Sequence, residues 1–282
     1  MVDEELQHWI GTTETVDDHI TAAPARALAA TLDRDTAPDT PGDALPPLWH
    51  WAYFLATPAT HALGPDGHAE RGGFLPPVDL PRRMWAGSRL WFHRPLRLGE
   101  RARRTSRIAD IAAKQGRSGS LVIVSVTHTV AGEDGPAITE EQDIVYREAT
   151  PPSANGGKPA PPGEPGWSRT VTPDPVLLFR YSALTFNSHR IHYDQPYATD
   201  VEGYPGLVVH GPLTLTLLVE ALAAAHPQRT ITGLSMRALQ PLFHGAPFRA
   251  QGRLADDGRR AELWSVGPHG VMTMQASAEL AG

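Results

Sequence analysis

Hydrophobic and polar positions alternate along two pairs of segments, one pair in each half of the chain. Residues 121–130 and 138–146 are rich in β-branched and apolar side chains and flank Gly132-Glu133-Asp134-Gly135-Pro136, which predicts a β-hairpin. Residues 261–266 and 271–278 flank Gly267-Pro268-His269-Gly270 and predict a second hairpin. Residues 213–225 break the alternation. This run is apolar almost all round a helical period, opens after Pro212 and ends before Pro227, so it predicts a buried helix rather than an amphipathic one. It is also the longest apolar run, and with Glu220 inside it is too short to cross ~30 Å of hydrocarbon.

The halves resemble one another. Thr21-Ala22-Ala23-Pro24 followed by Leu28 recurs as Thr172-Pro173-Asp174-Pro175 followed by Phe179; each opens a predicted helix, with the threonine as N-cap and proline in the first turn. Arg94-Pro95-Leu96-Arg97-Leu98-Gly99-Glu100 is echoed by Gln240-Pro241-Leu242-Phe243-His244-Gly245-Ala246, each ahead of strand-like sequence. A repeat at this spacing predicts a duplicated unit. Between the copies, ten of the sixteen residues 151–166 are Pro or Gly, so this segment neither propagates a helix nor completes a ladder and reads as a linker. The expected organisation is residues 1–150, the linker 151–166, and residues 167–282. Each unit is expected to wrap antiparallel strands round a buried helix, an α+β fold.

Composition narrows the function. The formal charge is −6, from 25 basic and 31 acidic residues, so no basic surface points to nucleic acid or to acidic membranes. With no cysteine, disulfides, thiolate metal sites and cysteine nucleophiles are excluded. The N-terminal MVDEELQHWIG has neither a basic nor an apolar segment of the secretory kind, and a cytoplasmic globular protein is expected. Dinucleotide fingerprints, P-loops, G-x-S-x-G elbows and H-E-x-x-H are absent.

Candidate chemistry concentrates in residues 180–198, RYSALTFNSHRIHYDQPYA, followed by His210-Gly211-Pro212 at the start of the apolar helix. A helix from Thr172 is expected to run through Tyr181 and end before Asn187, leaving Asn187, His189 and His192 on a loop. The start of a buried helix offers unpaired N–H groups and a partial positive charge, suited to a developing oxyanion, and Gly211 admits close approach because it lacks a Cβ.

This segment resembles the signature of MaoC-like (R)-specific enoyl-CoA hydratases. Its departures from that signature resemble a subgroup that includes the mitochondrial 3-hydroxyacyl-thioester dehydratase and the mesaconyl-C(4)-CoA, methylfumaryl-CoA and itaconyl-CoA hydratases. Residues 180–213 follow the subgroup pattern almost without gaps, and Gly73-Phe74-Leu75-Pro76-Pro77 through Trp85 is similar to its first half. The resemblance implies a double hotdog fold and no cofactor or metal. It makes His192 the catalytic histidine and Gly211 the glycine of the His-Gly pair. Asn187 stands where the wider family has its catalytic Asp, and His189 where it has Asn.

Hydration of an α,β-unsaturated thioester needs a base for water at C3, a proton for C2, and stabilisation of the enolate oxygen. An imidazole suits the first two tasks, so His192 is the expected acid/base, while the Asn187 amide orients water without accepting a proton and the Gly211 N–H holds the thioester oxygen. Tyr181, His189, Tyr193 and His210 are expected to line the substrate site. Arg180 and Arg190 are either solvated charges or contacts for CoA phosphates. Asp194 is either a turn cap or a support for His192. The histidines alone also fit a zinc set, His189 and His192 with His210. The first half lacks the constellation, with His50 the one candidate echo of His192; it is expected to shape the acyl pocket with Trp49, Trp51, Phe54, Trp85 and Trp91.

The expectation is therefore an acyl-CoA hydro-lyase, hydrating an enoyl-CoA or dehydrating a 3-hydroxyacyl-CoA, with a branched or dicarboxylic C5 acyl group implied by the resemblance. A free carboxylate would need a cation, for which Arg82, Arg83 and Arg237 are candidates. An acyl-CoA thioesterase and a non-catalytic acyl-thioester-binding partner are the rival readings. Pairing of two chains into a homodimer is compatible with each.

Overall fold

The computed structural model describes residues 4–116, 119–148 and 159–282. The strands are β1 (Thr13–His19), β2 (Arg82–Phe92), β3 (Arg101–Gly116), β4 (Gly119–Gly132), β5 (Gly135–Arg147), β6 (Trp167–Val171), β7 (Thr230–Ala238), β8 (Phe248–Leu254), β9 (Arg260–Val266) and β10 (Met272–Ala281). The α-helices are α1 (Glu4–Gln7), α2 (Ala22–Thr31), α3 (Pro175–Leu184) and α4 (Gly211–Ala225). Both hairpins expected from the alternation form, as β4–β5 and β9–β10.

All ten strands join one antiparallel sheet in the order β1-β3-β4-β5-β2-β7-β10-β9-β8-β6. The order mirrors itself about the β2–β7 seam, where Leu90 faces Leu234. Outward from the seam each half places its strands alike, and α2 and α3 follow the two edge strands in the same way. The repeated Pro-Leu segments lead into β3 and β8, and their leucines Leu96 and Leu242 are both buried. The first half of the linker, residues 151–158, lies outside the described residues; its second half is tied down where Gly166 N–H donates to Gly252 O (2.8 Å) and Met272 N–H to Pro159 O (2.9 Å).

Two local expectations change. Asp174, not Thr172, caps α3: its carboxylate accepts the Leu177 N–H at 2.7 Å, because Pro175 sits at the first helical position and moves the cap to its neighbour. The second concerns the buried helices. In the C-terminal half α4 lies against β6, β8 and β9, and every residue from Leu213 to Leu222 is buried, as its unbroken apolar run requires. The corresponding stretch of the N-terminal half, residues 32–81, has no long helix. Its nine prolines deny the backbone donors a helix needs, and it folds as loops with short turns at Trp49–Ala52 and Thr60–Ala62.

That loop covers α4. The Glu220 carboxylate, buried in the helix, accepts the Trp49 indole N–H at 3.0 Å and meets Arg34 at 3.3 Å. Trp49 and Phe54 are fully buried core, whereas Trp91 is 42% exposed on β2 and lines no interior pocket. Among the described residues, no helix is long and apolar enough to cross a membrane.

Candidate active site

Between α3 and α4 the chain makes two short helical turns, at Arg190–His192 and Tyr197–Val201, and then an extended segment to His210. That segment is held on both sides: Val208 N–H donates to Ile191 O and Val209 N–H to Leu242 O, at 2.9 and 2.8 Å. The His192 side chain closes the arrangement, with Nδ1 2.7 Å from Val208 O. A carbonyl can only accept, so Nδ1 carries the proton and Nε2 presents a lone pair. His192 is buried and its ring lies parallel to that of His210, the residue immediately before α4. Burial pushes the His192 pKa down to about 4, so the imidazole is a neutral base at physiological pH.

Asn187 follows α3 through a left-handed turn, Phe186 having φ +49°, and its N–H returns to Ser182 O at 2.8 Å. The Asn187 Oδ1 accepts the His189 N–H at 3.0 Å, which leaves the amide NH2 free to donate. Asn187 also lines a cavity of about 280 Å³ with Phe179, Ser182, Ala183, Phe186, Ser188 and Tyr193. Residues 179, 182, 183 and 186 recur at helical spacing, so one face of α3 and the turn after it forms one wall. Thr60 and Leu63, from the N-terminal half, lie opposite.

Gly211 is the first residue of α4, where the leading N–H groups have no intrahelical acceptor. A Cβ at this position would sit 2.9 Å from Cε3 of Trp85, which packs on the helix start. Trp85 in turn meets Trp51 edge-on at 5.8 Å. His210 accepts from or donates to Ser182 Oγ through Nε2 at 2.8 Å, while its buried Nδ1 has no protein partner.

The remaining candidates fall at different distances from this centre. Tyr181 is buried beside His210, ring centroids 5.0 Å apart, and burial raises its hydroxyl pKa. Tyr193 is half-exposed at the cavity lip, its hydroxyl donating to Ser188 O at 3.1 Å. Arg190 is spent on structure: it chelates Asp194 at 2.7 and 2.9 Å, donates to Pro65 O, and lies over Tyr197. Asp194 also accepts the Tyr197 N–H, so it caps the next turn and does not reach His192. Arg180 is exposed on α3. Of the three arginines weighed for a substrate carboxylate, Arg82 is bound to Glu202 and Arg237 is exposed on β7. The charge of Arg83 acts on both His68 and His189.

His68 and Asp66 are site neighbours that sequence reasoning missed. Asp66 Oδ2 accepts from His68 Nδ1 at 2.9 Å, and the His68 ring lies 4.0 Å from that of His189. Burial alone would raise the Asp66 carboxyl, but its bonds to His68 prevail and hold it well below the usual range. The signal in the sequence was a Asp-Gly-His turn, Asp66-Gly67-His68, which reads as an ordinary loop.

The zinc set weighed from spacing does not assemble, because His192 and His210 are stacked rather than convergent. The described residues that do bring metal-ligand atoms together are Asp66, His68 and His189, within 4.8 Å of one another. Arg83 and His68's commitment to Asp66 oppose a cation there. His50 is not an echo of His192: it is buried in the N-terminal half against Glu140, at 3.2 Å.

The family model for hydroxyacyl-thioester dehydratase type 2 matches residues 48–244. The chain is 52% identical to the mesaconyl-C(4)-CoA hydratase of Chloroflexus aurantiacus over 275 residues, 97% of each chain. A solved MaoC-like dehydratase matches with a TM-score of 0.71 at 16% identity, over 98% of this chain and 99% of that one. A Mycobacterium tuberculosis protein with a double hotdog fold matches at 0.58 and 15%, over 96% of each. The fold is accordingly a double hotdog, with the hotdog helix kept only in the second unit. By sequence over most of its length, the chain belongs to the hydroxyacyl-thioester dehydratase type 2 family.

Proposed function

We propose that this protein is an acyl-CoA hydro-lyase that adds water to an enoyl-CoA, or removes it from a 3-hydroxyacyl-CoA, without a cofactor. The observation that carries this reading is the fixed tautomer of His192. Its Nδ1–H is committed to Val208 O, so this buried, neutral imidazole keeps Nε2 as a lone-pair acceptor, stacked on His210 at the start of α4.

In the hydration direction, the Asn187 NH2 donates to a water oxygen and His192 Nε2 takes one of its protons. The oxygen bonds to C3 and the π electrons move towards the thioester, placing negative charge on its carbonyl oxygen. The Gly211 N–H and the positive end of the fifteen-residue α4 stabilise that charge. The imidazolium then returns its proton to C2, and atoms and charge balance. Dehydration is the same path reversed. The apolar cavity lined by Asn187 suits a pantetheine arm, and Arg180, exposed on the α3 helix that forms one wall, offers a guanidinium for CoA phosphates, whereas Arg190 is already bound to Asp194. The first half, with Trp51 and Trp85 facing the helix start, shapes the acyl end.

The finer reading is a C5 dicarboxylic acyl group of the mesaconyl-C(4)-CoA type, supported by the 52% identical relative and by Arg83 beside His68 and His189. A cytoplasmic location is part of this reading, since a chain without cysteine asks for no oxidising compartment. The test is incubation with mesaconyl-C(4)-CoA, itaconyl-CoA and crotonyl-CoA, followed by mass spectrometry. A product heavier by one water, absent with His192→Ala, is expected. Free CoA would instead establish a thioesterase, and binding without turnover a non-catalytic partner.

A further inference from the structure

One face of β4 buries Val122, Val124, Val126 and Val130, but His128 stands in the same series and breaks it. Its cross-strand neighbours are Ser106 on β3 and Glu140 on β5, and Arg104 and Gln142 follow at the next position of that face. A polar row thus crosses an otherwise apolar sheet face, in the half of the molecule that has no long helix to cover it. The turn at Trp49–Ala52 covers it instead: His50 Nε2 lies 3.2 Å and the Trp51 indole N–H 3.1 Å from Glu140. Leu48 and Phe54 bracket that turn with left-handed backbones, φ +71° and +53°, a conformation that bulky side chains rarely adopt. Between turn and sheet lies a cavity of about 90 Å³, with His50, Trp51 and Phe54 on one side and Arg104, His128 and Val130 on the other. Trp51, Arg104 and His128 are partly exposed, so the cavity opens to the surface on their side.

The hydrogen bonds round this cavity can be counted. A carboxylate has about four lone-pair sites, and those of Glu140 are taken by His50, Trp51, Ser88 and Gln142. Glu140 is held ionised and only accepts, so His50 Nε2 donates to it and the Nδ1 of the neutral ring carries a lone pair. That nitrogen is buried and has no protein partner, and the same is true of Arg104 Nε, which is an N–H donor. The cavity therefore presents one unused acceptor and one unused donor, each costly to bury unmet. Its fixed charges are Glu140 and Arg104, one of each sign, and Arg104 also meets Glu14 at 3.7 Å. His128 adds no charge, since burial takes its pKa down to about 4.

We propose that this cavity is a second binding site, separate from the active site, for a small uncharged molecule with a hydroxyl or primary-amide end. Such a group accepts from Arg104 Nε–H and donates to His50 Nδ1, so it satisfies both unused atoms at once. Its apolar stem packs on Trp51, Phe54 and Val130. At about 15 Å³ for each atom the space holds roughly six non-hydrogen atoms. A carboxylate answers only Arg104 and lies beside the ionised Glu140, while an ammonium answers only His50 and lies beside Arg104, so either charge is disfavoured.

The test follows the indole N–H resonance of Trp51 by NMR in the full chain, assigned with Trp51→Phe, during titration with four probes of like length: butyramide, n-butanol, butyrate and butylammonium. Butyramide and n-butanol are expected to shift it saturably, and the two ions to bind at least about tenfold more weakly. His50→Ala and Arg104→Met are each expected to weaken butyramide at least about tenfold, with a melting curve on each variant to confirm folding. The four-probe comparison needs wild type alone and is read even where a variant fails to fold. The shift is expected to persist in His192→Gln, which separates this cavity from the active site. No saturable shift with any probe, equal binding of all four, folded His50→Ala and Arg104→Met that bind butyramide like wild type, or a shift lost in His192→Gln overturns the proposal. No turnover is read, so the outcome is independent of the hydro-lyase reading.

Discussion

The imidazole of His210 lies flat against that of His192, ring centroids 3.7 Å apart and planes 20° from parallel. Two buried imidazoles in this contact cannot both carry charge, and burial with the neighbouring His192 and His189 drives His210 well below its ordinary pKa. His210 is thus a neutral wall, fixed by Ser182 at 2.8 Å, and Val208 O fixes the in-plane angle of its neighbour. With plane and angle both set, His192 Nε2 has a single direction in which to act.

Replacing His192 by Gln therefore removes the base while keeping a side chain able to donate to Val208 O. The expected outcome is a fall in kcat of about 10²- to 10⁴-fold. KM and the thermal midpoint should change little. Steady-state kinetics on the best enoyl-CoA, with a melting curve on the same preparation, checks it; a variant within a few-fold of wild type would remove His192 from the chemistry.

The buried histidines also tie stability to pH, with a definite sign. His68, His128, His189, His192 and His210 all have folded pKa values below the ordinary 6.5, chiefly because burial disfavours the cation. Below 6.5 the unfolded chain takes up protons that the folded chain refuses, so stability is full above that pH and declines as pH falls towards the folded values, about 4 for His128 and His192. Each such group contributes a slope of up to about 1.4 kcal/mol per pH unit within its window. Asp66 and Glu140, whose pKa values are lowered, add their loss only below the ordinary carboxylate range. Urea unfolding at pH 8, 7, 6 and 5 should show a plateau from 8 to 7 and a steepening fall below 6.5; a flat curve down to pH 5 would contradict the neutral cluster.

What could be read from the chain and what could not divide along physical lines. The hairpins and α4 depend on neighbours within a few tens of residues, so local pattern and spacing reveal them. Asp66 and His68 reach the site across more than 120 residues, through a loop whose Gly67 advertises a turn and nothing else. Periodicity carries no trace of such a contact. The duplication was visible, but not the loss of one buried helix, because a Pro-rich stretch reads equally as a linker or as a loop wrapped over a partner's core. Trp91 shows the same limit in miniature: a tryptophan on a strand is apolar on paper, and only the register decides that it faces out.

Adjacent residues of β5 offer a second contrast. Glu140 is buried, and its two oxygens collect His50 Nε2, the Trp51 indole, Ser88 Oγ and Gln142 Nε2 between 2.7 and 3.2 Å. Burial opposes its ionisation, but the His50 bond and charge win and hold the pKa down to about 2. Glu141 faces the other way, more than a third exposed and paired with an equally exposed Arg89. Glu140→Leu leaves these donors unpaired around a cavity and is expected to cost about 3–5 kcal/mol. Glu141→Leu is expected to cost about 0–1 kcal/mol, since solvent already screens that pair. Denaturant midpoints of the two variants check the difference, and similar losses would mean that the interior network around Glu140 is no tighter than the surface.

The start of α4 is tightly constrained by the side chain packed on it. Gly211→Ala would gain slightly in helix propensity, yet its Cβ would fall 2.9 and 3.2 Å from Cε3 and Cζ3 of Trp85, closer than a ring on a packed strand can tolerate. Either Trp85 or the helix terminus must move. Overpacking of this kind costs about 1–3 kcal/mol, and displacement of the Gly211 N–H by a fraction of an ångström weakens an oxyanion contact that works only at hydrogen-bond distance. Gly211→Ala is thus expected to lower both the melting temperature and kcat/KM, the latter by at least tenfold. Trp85→Leu removes the opposing ring atoms, so in the double variant the alanine should no longer add to the loss. A coupling energy near zero between positions 211 and 85, in stability and in kcat/KM alike, would show that the glycine is not there to make room for the tryptophan.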